Sequence, residues 1–182
     1  MNRIIKKPEE TMDSKNQLTS TILAVAKGET TWAEVEGMTF DHARSIAQIG
    51  CDFAAAGRLD ESRVVFEGLV AMNPRDSAAH AALGTVYQKL GRIEDAMASY
   101  TAAIKGDAKN PIALAHRGEL RLKAGDRNGF IDLTQAVEAD PHGETAAGRR
   151  ARGLVKAITM VAMKTVGAAK AVAKPAAKAK SR

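Results

Sequence analysis

The chain has 182 residues, of which 45% are hydrophobic, 26% are charged and only seven are aromatic. This size and composition predict one folded domain with flanking segments, and they exclude a core built mainly from aromatic side chains. The net charge is +6, but ten Lys or Arg residues and no acidic residue lie between positions 149 and 182, so residues 1–148 carry a net charge of −4.

The composition also predicts the class of fold and the compartment. Alanine is abundant, and it favours closely packed helices over strands, so we expect an all-α protein. Cys51 is the single cysteine and cannot form an internal disulfide. The N-terminus lacks the apolar stretch of a secretory signal, and no segment is long and apolar enough to span a bilayer. These features predict a cytoplasmic protein without a transmembrane segment.

Residues 1–17 are expected to be a flexible segment, and residues 18–42 are expected to form short helices. Two apolar stripes support the helices: Leu18, Ile22 and Val25 precede Gly28, and Trp32, Val35 and Met38 follow it. Two interpretations remain open. These helices either cap the repeats that follow or, as the family resemblance described below suggests, provide a surface through which two copies of the chain form a homodimer.

A period of 34 residues organises the middle of the chain. Glycines recur with this spacing at positions 50, 84 and 118 and again at 57, 91 and 125. Phe53 and Tyr87, and likewise Phe66 and Tyr100, keep the same offset. A fixed period of this length is typical of repeat proteins, and it predicts three repeats at residues 43–76, 77–110 and 111–142.

Each repeat is predicted to be a pair of helices, which is clearest in the second repeat. Apolar residues recur at helical spacing over 78–90 and again over 93–104. Gly91 lies between the two segments, where a left-handed residue ends the first helix. Glycine inside a helix is unfavourable, so the recurrence of Gly50, Gly84 and Gly118 predicts close approach of helices at these positions.

The repeat resembles the tetratricopeptide repeat over residues 43–142. The matching positions in the second repeat are Leu83, Gly84, Tyr87, Ala96, Tyr100 and Ala103. The first repeat departs from the pattern with Ser62 in place of alanine, and the third carries Phe130 and is about one residue short in its second helix. The resemblance implies an all-α helical-hairpin solenoid with three repeats and flanking capping helices.

Within this class, the chain resembles the translocator chaperones of bacterial type III secretion, the low-calcium-response chaperone family. The resemblance rests on the residues at 56–61 and 65–69, and on the string at 107–111 with His116 and Glu119 after it. It implies a small cytoplasmic chaperone that holds a membrane-inserting translocator by gripping an extended segment in the concave face of the repeats.

The outward positions of the first helix of each repeat are the predicted groove residues. They are Arg44, Ala47, Cys51, Ala54, Ala78, Ala81, Thr85, Gln88, Ile112, Ala115, Glu119 and Leu122. Most are small or apolar, which suits an extended peptide better than a highly charged ligand. The alternative is that the small residues serve only tight packing and the face binds nothing.

The C-terminal region divides into two predicted parts. Apolar residues at helical spacing, including Leu154, Ile158 and Val161, predict a capping helix over residues 146–166. Residues 167–182 are rich in Ala and Lys and are expected to be disordered. The cations of this basic tail that could bind nucleic acid or an anionic surface are Lys170, Lys174, Lys178, Lys180 and Arg182. If they do, the protein is a scaffold anchored by its tail; otherwise the tail only keeps the protein in solution.

No enzyme chemistry is predicted. His42, His80, His116 and His142 are scattered through the chain, without the spacing of metal ligands. No glycine-rich phosphate loop or nucleophile motif is present, and Cys51 lacks the sequence signature of a catalytic cysteine. We therefore expect no catalytic residue, metal or cofactor.

Overall fold

The computed structural model describes the backbone of residues 8–172 and the side chains of residues 17–165, and this part of the protein contains nine α-helices. The chain divides between Arg92 and Ile93 into two compact units. The first unit contains α1 (Pro8–Ala26), α2 (Trp32–Val35), α3 (Phe40–Ala55), α4 (Leu59–Met72) and α5 (Ser77–Lys89). The second contains α6 (Ile93–Gly106), α7 (Pro111–Lys123), α8 (Asn128–Ala139) and α9 (Ala146–Val172).

The all-α prediction is confirmed, and α3 to α8 supply the two helices predicted for each repeat. Two boundaries differ from the prediction. Helix α1 begins at Pro8, inside the segment expected to be flexible, and α9 continues to Val172, beyond the predicted end at 166. The predicted disorder of the rest of the tail concerns residues 173–182, which lie outside the described residues, as do residues 1–7.

Short local signals start and end the repeat helices. The Asp76 carboxylate accepts hydrogen bonds from the backbone N–H groups of the first turn of α5, and the Asn110 side chain does the same for α7. A glycine in the left-handed conformation follows the first helix of each repeat, with φ of +77° at Gly57, +76° at Gly91 and +81° at Gly125. The left-handed cap predicted at Gly91 is therefore present.

The core of the first unit lies where α3, α4 and α5 meet. Its buried members are Phe66, Leu69, Ala79, Leu83 and Val86. Gly50 of α3 lies against the Phe66 ring, and a Cβ atom at Gly50 would come within 2.8 Å of it. The hydroxyl of Ser62 donates a hydrogen bond of 2.8 Å to the Gly50 carbonyl oxygen. The serine that departs from the repeat pattern is therefore buried with its polar group satisfied.

The core of the second unit is formed by α7, α8 and α9. Its buried members are Leu114, Ala115, Leu133, Ala136, Ala147 and Ala151. Gly118 of α7 and Gly129 of α8 approach each other so closely that a Cβ atom at Gly118 would lie 2.8 Å from the Gly129 carbonyl oxygen. In the third repeat, the residue that faces Gly118 is therefore a second glycine, Gly129. The 34-residue period would place Phe130 there, but the second helix of this repeat is about one residue short, so the facing position falls on Gly129.

Candidate functional site

A row of exposed and half-buried side chains runs along α3 at helical spacing. We call Phe40, Arg44, Ala47, Cys51 and Ala54 the α3 stripe. Arg44 and Cys51 are exposed, whereas Ala47 and Ala54 are half-buried. Phe40 is 76% exposed, and the Arg44 guanidinium lies over its ring at 5.5 Å from the centroid. The stripe therefore presents small side chains with an aromatic ring at its N-terminal end.

Phe40 is the member of the stripe that was not predicted from the sequence. It lies four residues before Arg44, one helical turn away on the same face. This spacing could have identified it, but the first repeat was expected to begin at residue 43. The structure starts α3 earlier because the Thr39 hydroxyl caps the helix by accepting a hydrogen bond from the His42 N–H.

A small cavity lies beside Phe40 in the first unit. Its volume is about 230 Å³, and its walls are partly apolar, with Ala33, Met38 and Leu69 among the lining residues. Two carboxylates, Glu34 and Asp76, also line it. The Glu34 carboxylate accepts hydrogen bonds from the Thr30 hydroxyl and the Thr31 N–H. These hydrogen bonds lower the pKa of Glu34.

On α5, the predicted groove residues differ in exposure. Ala78 is exposed, and Thr85 and Gln88 are half-buried. Ala81 is only 2% exposed, so it offers almost no surface to a ligand, and the structure corrects the prediction at this position. The physical reason is that a single methyl group stays close to the helix axis, where neighbouring side chains cover it.

On α7, the predicted groove residues are largely covered. Ile112 is 37% exposed and Leu122 is half-buried against the core of the second unit. Ala115 is fully buried in the core that includes Ala147 and Ala151 of α9, and Glu119 is 8% exposed. The prediction is corrected at Ala115 and Glu119, because α9 packs on α7 at these positions.

Glu119 and His116 form a polar cluster under α9. Arg150 of α9 donates to Glu119 Oε2 at 3.4 Å, and the His116 ring stacks on Tyr100 with centroids 5.5 Å apart. Glu119 Oε1 and His116 Nδ1 are buried without a hydrogen-bond partner in the described part of the protein. Burial lowers the pKa of His116, and the Glu119 carboxylate only partly opposes this effect.

The histidines are not gathered into one site. The side chain of His42 accepts from the Thr39 N–H, and His80 Nε2 lies 3.0 Å from the Pro74 carbonyl oxygen. Among the described residues, no three His, Cys, Asp or Glu side chains are placed to hold a metal ion, and no helix is long and apolar enough to cross a membrane. Lys174, Lys178, Lys180 and Arg182 lie outside the described residues, and only the backbone of Lys170 is described.

Comparison with known families identifies the repeats. The tetratricopeptide repeat profile matches residues 48–111 and 81–144, which together cover just over half of the chain. Helical hairpins, glycines at the close contacts and left-handed glycine caps agree with this match. The protein belongs to the tetratricopeptide repeat family.

Solved structures with a similar fold include proteins of type III secretion. A chain of a type III secretion complex from Aeromonas hydrophila is 22% identical to this protein and superposes with a TM-score of 0.66. The match covers 78% of this chain and 96% of that chain. The translocator chaperone SycD from Yersinia enterocolitica is 21% identical with a TM-score of 0.62, and covers 70% and 98%. PcrH, in complex with the chaperone-binding region of PopD, is 25% identical with a TM-score of 0.59, and covers 68% and 96%.

The chain spans about a fifth of the length of the curated relatives it matches. The DnaJ protein P58IPK homologs A and B from Oryza sativa subsp. japonica are 36% identical to this chain over 95 residues. The match spans 50% of this chain but only 20% of those proteins. It therefore relates one segment of repeats, not the whole proteins.

Proposed function

We propose that this protein is a non-enzymatic, peptide-binding chaperone of the type III translocator-chaperone kind. It holds an extended segment of a client protein on the outward faces of α3 and α5 in the first unit. The observation that carries this proposal is the α3 stripe, a row of exposed and half-buried side chains, most of them small, that ends at the highly exposed Phe40.

The chemistry of this face favours a peptide with apolar side chains. We expect shallow depressions beside Cys51, Ala54 and Ala78, because their side chains are short. Phe40 offers a flat apolar surface, and the cavity beside it has about the volume needed for one large apolar side chain. An extended client segment would place alternate side chains into such depressions.

Three solved structures support the type of client. PcrH was solved with the chaperone-binding regions of PopD and of PopB, and SycD with a peptide of the translocator YopD. PcrH is 25% identical to this chain. By this analogy the client is a membrane-inserting translocator, and the chaperone acts in a bacterial cytoplasm before the client is exported.

Fluorescence anisotropy tests the proposal with the labelled chaperone-binding region of PopD as the probe. Cys51→Arg and Ala78→Arg place a long charged side chain on the binding face at exposed positions, so each is expected to weaken binding about tenfold or more, because a buried unpaired charge is costly. Phe40→Ala removes the aromatic surface and is expected to weaken binding about tenfold.

The control is Ala71→Arg, at an exposed alanine on α4. It is expected to bind the probe like the wild type. A scrambled version of the probe should bind at least tenfold more weakly, as a difference of about 1.4 kcal/mol would give. Equal binding of the two probes, or a loss confined to Ala71→Arg, would contradict the proposal.

We further propose that two copies associate through α1. Leu18, Ile22 and Leu23 are 56%, 47% and 52% exposed, so three large apolar side chains within six residues of one helix face solvent. The SycD structure described as an alternative dimer supports association in a similar protein. Light scattering is expected to show a dimer that Leu18→Asp with Ile22→Asp converts to a monomer, whereas Ile49→Asp, at a comparably exposed position on α3, leaves it intact.

A further inference from the structure

The apolar face of α9 continues beyond the part that packs against the protein. Ala147, Ala151 and Leu154 pack on the core of the second unit. The same helical spacing continues with Ile158 and Val161, which are 36% and 62% exposed. We call residues 156–172 the distal half of α9. Ile158 and Val161 lie in line with a packed stripe, but they are exposed.

The charge of this helix has a single sign. Arg149, Arg150, Arg152, Lys156, Lys164 and Lys170 lie within α9, and no acidic residue occurs from position 149 onward. The exposed side chain of Lys164 lies one turn from Val161 at the edge of the apolar stripe, whereas Lys156, Met160 (51%) and Met163 (69%) are exposed on the opposite side of the helix. An exposed helix that has an apolar stripe and whose charged residues are all cations has the composition of an interfacial helix.

Charge and polarity favour one occupant for this surface. A second copy of α9 would bring cations against cations, because the helix offers no acidic partner. Nucleic acid would satisfy the cations but would leave Ile158 and Val161 in water. A membrane surface with anionic headgroups meets both requirements, since phosphates pair with the lysines while the interfacial region takes up the apolar side chains.

We propose that the distal half of α9 binds to the surface of membranes that contain anionic lipids. Ile158 and Val161 insert at the boundary between headgroups and acyl chains, and Lys164 lies among the phosphates. This site belongs to the second unit and does not depend on the proposed peptide-binding face.

Vesicle co-sedimentation of the full chain tests this proposal. The probes are vesicles of phosphatidylcholine alone and vesicles of equal parts phosphatidylcholine and phosphatidylglycerol, and binding is expected only to the second. Ile158→Asp with Val161→Asp is expected to weaken binding about tenfold or more, because both apolar side chains are lost from the interface. Lys164→Gln is expected to weaken it about fivefold.

Matched controls lie on other helices of the same unit. Ile131 on α8 is 53% exposed, and Lys105 on α6 is exposed. Ile131→Asp and Lys105→Gln make the same chemical changes away from α9, and both are expected to sediment with anionic vesicles like the wild type. An equal loss of binding in these controls would overturn the proposal.

Three further results would overturn the proposal. One is binding that survives Ile158→Asp with Val161→Asp but is lost when Lys174, Lys178, Lys180 and Arg182 are all changed to Gln, which would assign it to the tail alone. Another is a dimer in light scattering that Ile158→Asp with Val161→Asp converts to a monomer, which would assign the apolar stripe of α9 to contact between two copies. The third is tight binding to duplex DNA without binding to anionic vesicles.

A second measurement does not depend on disruptive substitutions. In a Cys51→Ser background, Val161→Cys carries an environment-sensitive fluorophore, since Cys51 is the single native thiol and is exposed. Anionic vesicles are expected to increase its emission and shift it to the blue, because the label enters an apolar environment. The same label at Lys105→Cys is the control. Identical responses at the two positions would overturn the proposal.

Discussion

Two facing glycines determine how closely α7 and α8 approach. A Cβ atom on Gly118 would meet the Gly129 backbone oxygen and the Leu133 side chain at under 3 Å. Backbone cannot move aside as a flexible side chain can, so even a methyl group requires the helices to separate. The free energy lost by placing glycine inside a helix is offset here by close packing.

Gly118→Ala is therefore expected to lower the free energy of unfolding by about 1–3 kcal/mol, because the added methyl group overpacks the contact. Gly68→Ala on α4 is the matched control, since a Cβ atom there would meet nothing within 4 Å. The control is expected to raise the free energy of unfolding by about 0.5–1 kcal/mol through helix propensity. Urea unfolding followed by circular dichroism measures the free energy of unfolding of both variants. A Gly118→Ala variant more stable than the wild type would contradict the close contact between α7 and α8.

His116 is expected to make stability fall as the solution becomes mildly acidic. Burial lowers its pKa in the folded protein below the ordinary value of 6.5, so the unfolded chain binds the proton more readily. The stabilising effect of the neutral ring is present above pH 6.5 and is lost as the pH falls below this value. The Arg150 and Lys123 charges act in the same direction, and Glu119 opposes them.

The test is urea unfolding on either side of pH 6.5. His116→Phe keeps a ring against Tyr100 and is expected to reduce the loss of stability on acidification. His142→Phe, at an exposed histidine, is the control and should retain the wild-type dependence. If His116→Phe loses as much stability as the wild type, the buried neutral histidine is not responsible.

At the scale of elements, two carboxylates join helices of the second unit. Asp132 of α8 accepts two hydrogen bonds of 2.8 Å from Arg117 and one of 2.9 Å from Arg121, both on α7. Asp140, at the end of α8, accepts hydrogen bonds from Glu144 and Thr145 in the connection to α9. Each carboxylate therefore stabilises one helix against the next.

Asp132→Ala is expected to lower the free energy of unfolding by about 3 kcal/mol. Asp132 is 3% exposed, and its loss leaves the guanidinium groups of Arg117 and Arg121 without this partner. Glu138→Gln, at an exposed acid on the same helix, is the control and should change stability by less than about 0.5 kcal/mol. If the two substitutions change the free energy of unfolding in urea equally, the ion pairs between α7 and α8 add little to stability.

Asp140 is expected to control the stability of the α8–α9 connection in acid. Hydrogen bonds from the Thr145 and Glu144 N–H groups and the Thr145 hydroxyl lower its pKa from 3.8 to about 2. A carboxylate with a lowered pKa stabilises the fold above pH 3.8, and this stabilisation is lost as the pH falls towards 2. Asp140→Asn should therefore be less stable than the wild type at neutral pH, with a difference that shrinks in acid.

Unfolding at a series of pH values between neutral and about 2 measures that difference. Asp107→Asn is the control, because the Asp107 carboxylate accepts a backbone hydrogen bond from Lys109 at an exposed turn and is not part of the α8–α9 connection. The difference between the control and the wild type should be small throughout. A difference between Asp140→Asn and the wild type that stays constant down to pH 2 would contradict the assignment.

At the scale of the whole molecule, repeat proteins gain stability from contacts between neighbouring elements, and a bound partner adds to them. If the chain binds a translocator segment as proposed, the folded state should be stabilised in proportion to occupancy. The chaperone-binding region of PopD at about 100 times its dissociation constant should add about 2.7 kcal/mol. This corresponds to an increase in Tm of several degrees for a chain of this size.

Differential scanning calorimetry measures that increase. Cys51→Arg should reduce it at the same peptide concentration, whereas Ala71→Arg should not. A Tm that does not change with peptide, or a change that Cys51→Arg leaves intact, would count against the proposed binding face.

Much of the local structure followed from the sequence because its causes are local. Helical periodicity, the glycine at position 91 and the caps before α5 and α7 act within a few residues, so the helices lie where the pattern predicts them. The third repeat was harder to predict from its pattern. Its second helix is about one residue shorter than in the other repeats, so Gly129 takes the position against Gly118. Only the packed helices show which residue faces Gly118.

The amino-acid sequence by itself determined the repeat family, the paired helices and the separation of a mildly acidic body from a cationic C-terminal region, because periodicity and charge are properties of the chain. Tertiary structure alone decided which candidate residues reach solvent. Ala115 and Glu119 have the periodicity of a binding face, yet α9 covers them, whereas Phe40 precedes the predicted repeat and is exposed. Burial depends on which distant elements pack together, and no local pattern records that.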